Sequence, residues 1–73
     1  MTMSDYYARE IGPRRVGGRY YCGYWRQEYE VLAIHHGAPV WGWLISVRWD
    51  DGRITHHATA WDPRYDSVIS QPA

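Results

Sequence analysis

The chain has 73 residues, which is enough for one small core and leaves no room for a second domain. Eight basic residues, all arginine, balance eight acidic ones, so the zero formal net charge gives no global sign of a polyanion-binding protein. A single cysteine excludes an intrachain disulfide, which leaves five Trp and seven Tyr as the main source of buried apolar area. We find no apolar leader and no run of about 18 apolar residues, so we expect a cytoplasmic protein that does not enter a membrane.

Residues 1–15 form an N-terminal extension that the sequence predicts to be either a short helix or disordered. Ser4 is a suitable N-cap, and Asp5 places negative charge in the first turn, where it favours a helix. Gly12 and Pro13 then end the helical pattern. A helix of two turns is not stable alone, so this one must pack against the domain or fray.

A strand pattern with period two begins at Val16 and is predicted to run to Tyr21. The segment from Cys22 to Gln27 is predicted to be a loop. The next strand, Glu28 to His35, is apolar on both faces from Val31 to Ile34, as expected for a strand that bends between two sheets. Residues 36–39 contain Gly and Pro and break this strand.

The clearest pattern is a hairpin from Trp41 to Trp61. Its first strand places five large apolar residues on one face: Trp41, Trp43, Ile45, Val47 and Trp49. With Asp51-Gly52 as a two-residue turn, Trp49 faces Ile54 and Ile45 faces Ala58, so that large residues mostly oppose small ones. In this register the predicted scaffold of the hairpin is Trp43, Ile45, Val47 and Ile54.

The last predicted elements are a helical turn capped by Asp62 and a short strand from Ser67 to Ser70, followed by a tail at 71–73. This order of elements over residues 16–70 resembles the SH3-like small barrels, including their Tudor and KOW relatives. The segment from Val47 to Gly52 is similar to the strand and turn of Tudor-like domains. The resemblance implies an all-β, five-stranded barrel. The adjacent tryptophans of peptide-binding SH3 domains are absent, so polyproline binding is not expected.

Aromatic rings provide the first candidate site, because so small a core cannot enclose all twelve of them. The resemblance places the ligand face at the loop after the first strand and at the hairpin turn, where Tyr24, Trp25, Trp49 and Asp50 lie. Rings and a carboxylate could hold a methylated ammonium group by cation–π attraction. The alternative is that Trp49 belongs to the core and Trp25 covers one end of the barrel.

The second candidate site is the arginine-rich segment from Arg9 to Arg26, in which five Arg against one Glu give a local charge of +4. Arginines interleaved with rings suit a nucleic-acid interface, because they combine phosphate contacts with stacking surfaces. The residues predicted for it are Arg14, Arg15, Arg19, Arg26 and Tyr21. The alternative is a solvated segment without a ligand.

Histidine and cysteine give no recognisable catalytic or metal-binding motif. The neighbours in the pairs at 35–36 and 56–57 point to opposite faces of a strand, although one histidine from each pair could meet. Cys22 has no recognisable partner that would activate it as a nucleophile. We therefore predict a non-catalytic interaction module, without metal or cofactor, that docks a protein partner or its own copy. A nucleic-acid-binding barrel is the alternative.

Overall fold

A computed structural model describes residues 9–35 and 45–72 of this chain. They contain five antiparallel strands in one sheet of order β4-β3-β2-β1-β5. The strands are β1 (Arg19–Cys22), β2 (Gln27–Ile34), β3 (Ile45–Trp49), β4 (Ile54–Thr55) and β5 (Asp66–Ser70). The all-β prediction is confirmed. Within the described residues, β4 and β5 are the two edges and the sheet is not closed into a barrel.

The core lies on one face of the sheet. Alternating residues of β1, β2 and β3 point inward, because successive side chains of a strand face opposite sides. The buried apolar residues are Ile11, Tyr20, Cys22, Tyr29, Val31, Ile45, Val47 and Trp49. Ala58 and Trp61 pack against them from the segment that follows β4. The predicted inward face of the hairpin is confirmed for Ile45, Val47 and Trp49, whereas Trp41 and Trp43 lie outside the described residues.

Strand β1 begins later than predicted, because Val16 and Gly17 form a turn. Gly17 has φ 88°, a left-handed backbone conformation that glycine adopts without strain. Its N–H donates to the carbonyl of Val31, and the N–H of Val31 donates to the carbonyl of Gly18. The turn therefore remains attached to β2.

Strand β2 is bent by a β-bulge. Val31 pairs with Val47 of β3 and Ala33 pairs with Ser46, which leaves Leu32 as an extra residue on β2. The apolar segment from Val31 to Ile34 predicted a bend, and the bulge lies within that segment. The bend occurs inside one continuous sheet.

The predicted register of the hairpin is wrong by one residue. Arg48 pairs with Ile54, and Val47 pairs with Thr55. The connection is a three-residue loop, 50–52, in which the N–H of Gly52 donates to the carbonyl of Trp49 at 2.9 Å and Gly52 has φ 86°. Such a type I turn followed by a left-handed glycine replaces the two-residue turn that we expected, in which both central residues need positive φ.

The shifted register moves Ile54 to the outer face, where it is 51% exposed, so its assignment to the scaffold is also wrong. Strand β4 ends at Thr55, far short of the predicted Trp61. The hydroxyl of Thr55 donates to the carbonyl of His57 at 2.9 Å, which marks a change in chain direction. Residues 56–60 continue without regular pairing.

The helical residues at the start of the described chain are bonded to the segment that follows β4. Residues 9–11 are helical, and the helix ends at Gly12, which has φ 60°. The N–H of Trp61 donates to the carbonyl of Glu10 at 2.9 Å. The predicted helical turn after Asp62 is confirmed, since the Asp62 carboxylate accepts a bond from the N–H of Arg64 at 2.9 Å. The proposed cap at Ser4 lies outside the described residues.

Candidate functional site

The loop between β1 and β2, residues 23–26, carries two adjacent exposed rings. Tyr24 is 70% exposed and Trp25 is 55% exposed. Their ring centroids lie 4.9 Å apart at an interplanar angle of 86°, which is an edge-to-face contact. We call these two residues the aromatic pair. Their exposure agrees with the expectation that so small a core cannot enclose all of the rings.

The backbone of this loop is held close to the turn before β5. A Cβ at Gly23 would overlap the backbone carbonyl of Tyr65, so only glycine allows this approach. Arg26 has φ 57°, which turns the chain back into β2. These backbone constraints fix where the aromatic pair emerges.

A groove of about 450 Å³ lies beside Trp25. Its lining includes Trp25, Gln27, Trp49, Arg53, Thr55 and His57. We call it the Trp25 groove. The lining thus combines residues of the hairpin and of the start of β2 with Trp25 of the aromatic pair.

Trp49 belongs mainly to the core, as the alternative interpretation stated. It is 6% exposed, and its ring centroid is 5.1 Å from that of Tyr29. Its Nε1–H donates to the hydroxyl of Thr55 at 2.9 Å. The guanidinium of Arg53 lies 5.9 Å from the Trp49 ring centroid, on the groove side. Trp49 therefore contributes a small surface to the groove and anchors it to the core.

Asp50 connects the hairpin to β2 by hydrogen bonds and is not among the residues that line the Trp25 groove. Its N–H donates to the carbonyl of Glu28, and its carboxylate accepts a bond from the N–H of Glu28, both at 3.1 Å. The same carboxylate lies 3.8 Å from Arg19. The charged residue that lines the groove is Arg53, so the predicted cage of rings with a carboxylate does not describe it.

A smaller groove of about 290 Å³ lies on the Tyr24 side and contains Tyr65, Asp62 and Asp66. Both carboxylates are already used within the chain. Arg64 donates to Asp62 at 2.9 Å, and its guanidinium and N–H hold the pKa of that carboxyl below its usual range. Asp66 accepts a bond from the N–H of Asp62 at 2.8 Å.

Arg14, predicted to lie on a nucleic-acid interface, is 4% exposed. Its guanidinium donates to the carbonyls of Glu10 at 2.5 Å and Ile11 at 2.9 Å, and to the hydroxyl of Tyr29 at 3.3 Å. It also lies 5.7 Å from the ring centroid of Trp61. Burial raises the pKa of the Tyr29 hydroxyl, although the charge of Arg14 acts in the opposite direction. Arg14 is therefore part of the interior.

The other residues of that predicted interface are dispersed. Arg19 lies on the outer face of the sheet, 3.5 Å from Glu28, and Tyr21 is opposite Glu28 in the pairing of β1 with β2. Arg15 and Arg26 are exposed. The acidic residues of β2 thus share the outer face with Arg19, and the local charge of +4 is not presented as one patch.

One histidine of each pair does meet the other through a serine. The hydroxyl of Ser46 lies 3.0 Å from Nε2 of His35 and 3.1 Å from Nδ1 of His56. Cys22 is buried in the core. In residues 9–35 and 45–72, no three His, Cys, Asp or Glu side chains form a group that could hold a metal ion.

Sequence reasoning found the aromatic pair but missed Gln27 and Arg53 in the groove beside it. Gln27 faces Cys22 and precedes Tyr29 by two residues, so strand alternation places it on the inner face. The spacing of two residues between Gln27 and Tyr29 is visible in the sequence. The sequence predicts Arg53 at the start of the second hairpin strand, and only the observed loop places it at the groove.

Comparison of the chain with models of protein families, with curated proteins and with solved structures finds no match. In the part of the chain that the structure describes, no helix has the length and apolar character needed to cross a bilayer.

Proposed function

We propose that this chain is a small, non-catalytic interaction module that docks a protein partner, or a second copy, through the aromatic pair. The observation that carries this proposal is the exposure of Tyr24 and Trp25 at 70% and 55% beside a groove of about 450 Å³. Tryptophan and tyrosine are the side chains that most often dominate binding energy at protein interfaces. Here they contact each other and remain open to a ligand.

The fixed backbone of the loop supports docking by this surface. The close approach at Gly23 and the edge-to-face contact limit the motion of the aromatic pair before a partner arrives. A side chain that is already ordered loses less conformational entropy on binding. Tyr24 and Trp25 therefore suit the role of anchors.

The SH3-like assignment is part of the same proposal. The observed elements have the order on which the resemblance rests, with a bulged second strand, an Asp-Gly hairpin and one turn before the last strand. The pairing of β5 with β1 joins the first and last strands, as a small barrel requires. These features support the SH3-like assignment. The sheet formed by the described residues is itself open.

The nucleic-acid alternative has weaker support. It relied on five arginines acting together, whereas Arg14 lies in the interior and Arg19 is beside Glu28 and Asp50. Arg15 and Arg26 remain exposed and could contact phosphate. Two such contacts predict weak binding with a shallow dependence on salt concentration.

Capture from an extract of the native host, together with sedimentation of the purified chain, tests the proposal. The double variant Tyr24→Ala/Trp25→Ala should lose the captured protein, or dissociate a dimer if the partner is a second copy. Ile54→Ala is the matched control, because it removes an exposed apolar side chain from the outer face. A monomeric protein whose capture is unchanged by the double variant would contradict docking. Salt-sensitive oligonucleotide binding would instead favour the alternative.

A further inference from the structure

Gln27, one of the residues that line the Trp25 groove, carries a buried hydrogen-bond acceptor. Gln27 lies on the inner face at the start of β2, and its Oε1 is buried. None of the described residues donates a hydrogen bond to this oxygen. Leaving a buried carbonyl unpaired costs free energy, and native proteins do so rarely. An oxygen of this kind in a groove favours a ligand that brings an N–H group.

The groove also has a defined sign of charge. Of the described residues that line it, Arg53 and His57 are the two titratable ones, and none is acidic. The side chain of Arg53 is 58% exposed, and its contact with Asp51 is long, at 4.0 Å. Exposed ion pairs of this length contribute little, so the guanidinium is available to a carboxylate.

We propose that the Trp25 groove binds an acidic peptide segment. One carboxylate of the segment pairs with the guanidinium of Arg53, a backbone N–H donates to Oε1 of Gln27, and an intervening side chain packs on the ring of Trp25. Rotation about the terminal Cγ–Cδ bond of Gln27 brings the oxygen to the ligand, and this torsion is soft. This inference rests on the proposed docking function and names the chemistry of the partner.

The smaller groove on the other side of the aromatic pair does not offer the same chemistry. Its carboxylates, Asp62 and Asp66, already accept bonds from the chain itself. A basic ligand there would have to displace Arg64 from Asp62. The exposed guanidinium of Arg53 and the unpaired oxygen of Gln27 therefore both point to the Trp25 groove.

A phage-displayed library of random eight-residue peptides, selected on the immobilised full chain, tests this proposal. We expect selected peptides to share Asp or Glu at one position. In synthetic versions, replacing that acid by its amide should weaken binding about five- to tenfold at low salt, as expected for loss of a charge-assisted contact. Selected peptides that are neutral or basic throughout would overturn the proposal.

Two substitutions that each remove one arginine charge test which arginine contacts the carboxylate of the peptide. Arg53→Gln should abolish the difference between the acidic peptide and its amide, whereas Arg48→Gln should preserve it, because Arg48 lies on the outer face beside Glu30. Equal behaviour of the two variants would overturn the role of Arg53.

Gln27→Leu separates a ligand contact from a structural one. Because it removes a buried unpaired oxygen, the variant should unfold at a higher temperature and yet bind the acidic peptide about fivefold more weakly. If Gln27 has only a structural role, Gln27→Leu will change the unfolding temperature and leave the affinity for the acidic peptide unchanged. That result would overturn the proposed contact.

The peptide selection also distinguishes the proposal of an acidic ligand from the docking function on which that proposal rests. Selected peptides that require Trp25 but no acid would overturn the charge preference and leave docking intact. A selection in which no peptide depends on Tyr24 or Trp25 would count against both.

Discussion

The rings inside this domain differ from those on its surface in what their polar tips contact. Tyr20 donates from its hydroxyl to Gln71 at 2.6 Å and accepts from the N–H of Arg15 at 2.7 Å. The hydroxyl of Tyr29 accepts from Arg14, and the indole of Trp49 donates to Thr55. Burial of Tyr and Trp thus depends on a partner for each polar atom.

The aromatic pair has a different environment. Tyr24 and Trp25 contact each other edge to face, and their loop is held by backbone geometry. The number of rings therefore does not separate scaffold from binding surface. A ring whose polar tip is bonded inside the domain belongs to the scaffold, and substitutions in the two groups should therefore have opposite consequences for stability and binding.

The largest expected loss of stability follows Arg14→Ala. The change removes three hydrogen bonds and the contact with Trp61, so the free energy of unfolding should fall by about 2 to 3 kcal/mol in urea denaturation. Arg15→Ala is the control, because its side chain is exposed, and it should change stability by less than about 0.5 kcal/mol. Equal effects of the two substitutions would show that burial of Arg14 is not important for stability.

Tyr20→Phe should have a smaller effect, a loss of about 1 to 2 kcal/mol, because it removes both bonds of a fully buried hydroxyl. Tyr24→Phe makes the same chemical change at an exposed position and should be nearly neutral. Combining Tyr20→Phe with Gln71→Leu should cost less than the sum of the single changes. Strict additivity would argue against the bond between them.

Tyr29 should make the domain sensitive to alkaline pH. Its pKa is raised from the ordinary 10.0, mainly by burial, so the unfolded chain loses this proton first. The contribution of Tyr29 is fully present below pH 10 and is lost as pH rises through the raised pKa, with a slope of up to about 1.4 kcal/mol per pH unit.

Urea denaturation between pH 9 and pH 11 checks this expectation. Tyr29→Phe should show a shallower loss of stability than the parent chain, because phenylalanine has no proton to lose. Identical pH profiles would indicate that the Tyr29 hydroxyl ionises equally in the folded and unfolded chain.

The smallest effect on stability is expected for Tyr24→Ala/Trp25→Ala. Both rings are more than half exposed, at 70% and 55%, so the free energy of unfolding should change by about 0.5 kcal/mol or less. The same variant should show the largest loss in the capture experiment. A loss of stability as large as that of Arg14→Ala would assign the aromatic pair to the scaffold.

Strand positions could be predicted because they depend on local alternation, and β2, β3 and β5 all overlap the predicted strands. The hairpin register could not be, because Asp51-Gly52 is compatible with two turn types whose loops differ by one residue. The choice between them depends on the φ of Asp51, which the residue types do not determine.

The candidate site was predictable to a similar extent. The resemblance places Tyr24 and Trp25 on a candidate surface, and both are exposed. The prediction for Arg14 is wrong, because the sequence does not distinguish an interior arginine from a surface one. Only the structure shows the carbonyls that accept hydrogen bonds from Arg14. Gln27 was missed since it lies at a strand end that the sequence assigned to a loop.

The pairing of β1 with β5 affects how the domain can form during synthesis. Residues 19–22 leave the ribosome long before residues 66–70, so β1 must wait for its second neighbour. The hydroxyl of Tyr20 must likewise wait for Gln71, 51 positions later in the chain. Until then one edge of β1 is open to pairing with other chains. Contacts between such distant segments also slow folding, so the nascent chain is exposed to aggregation longest at its first strand.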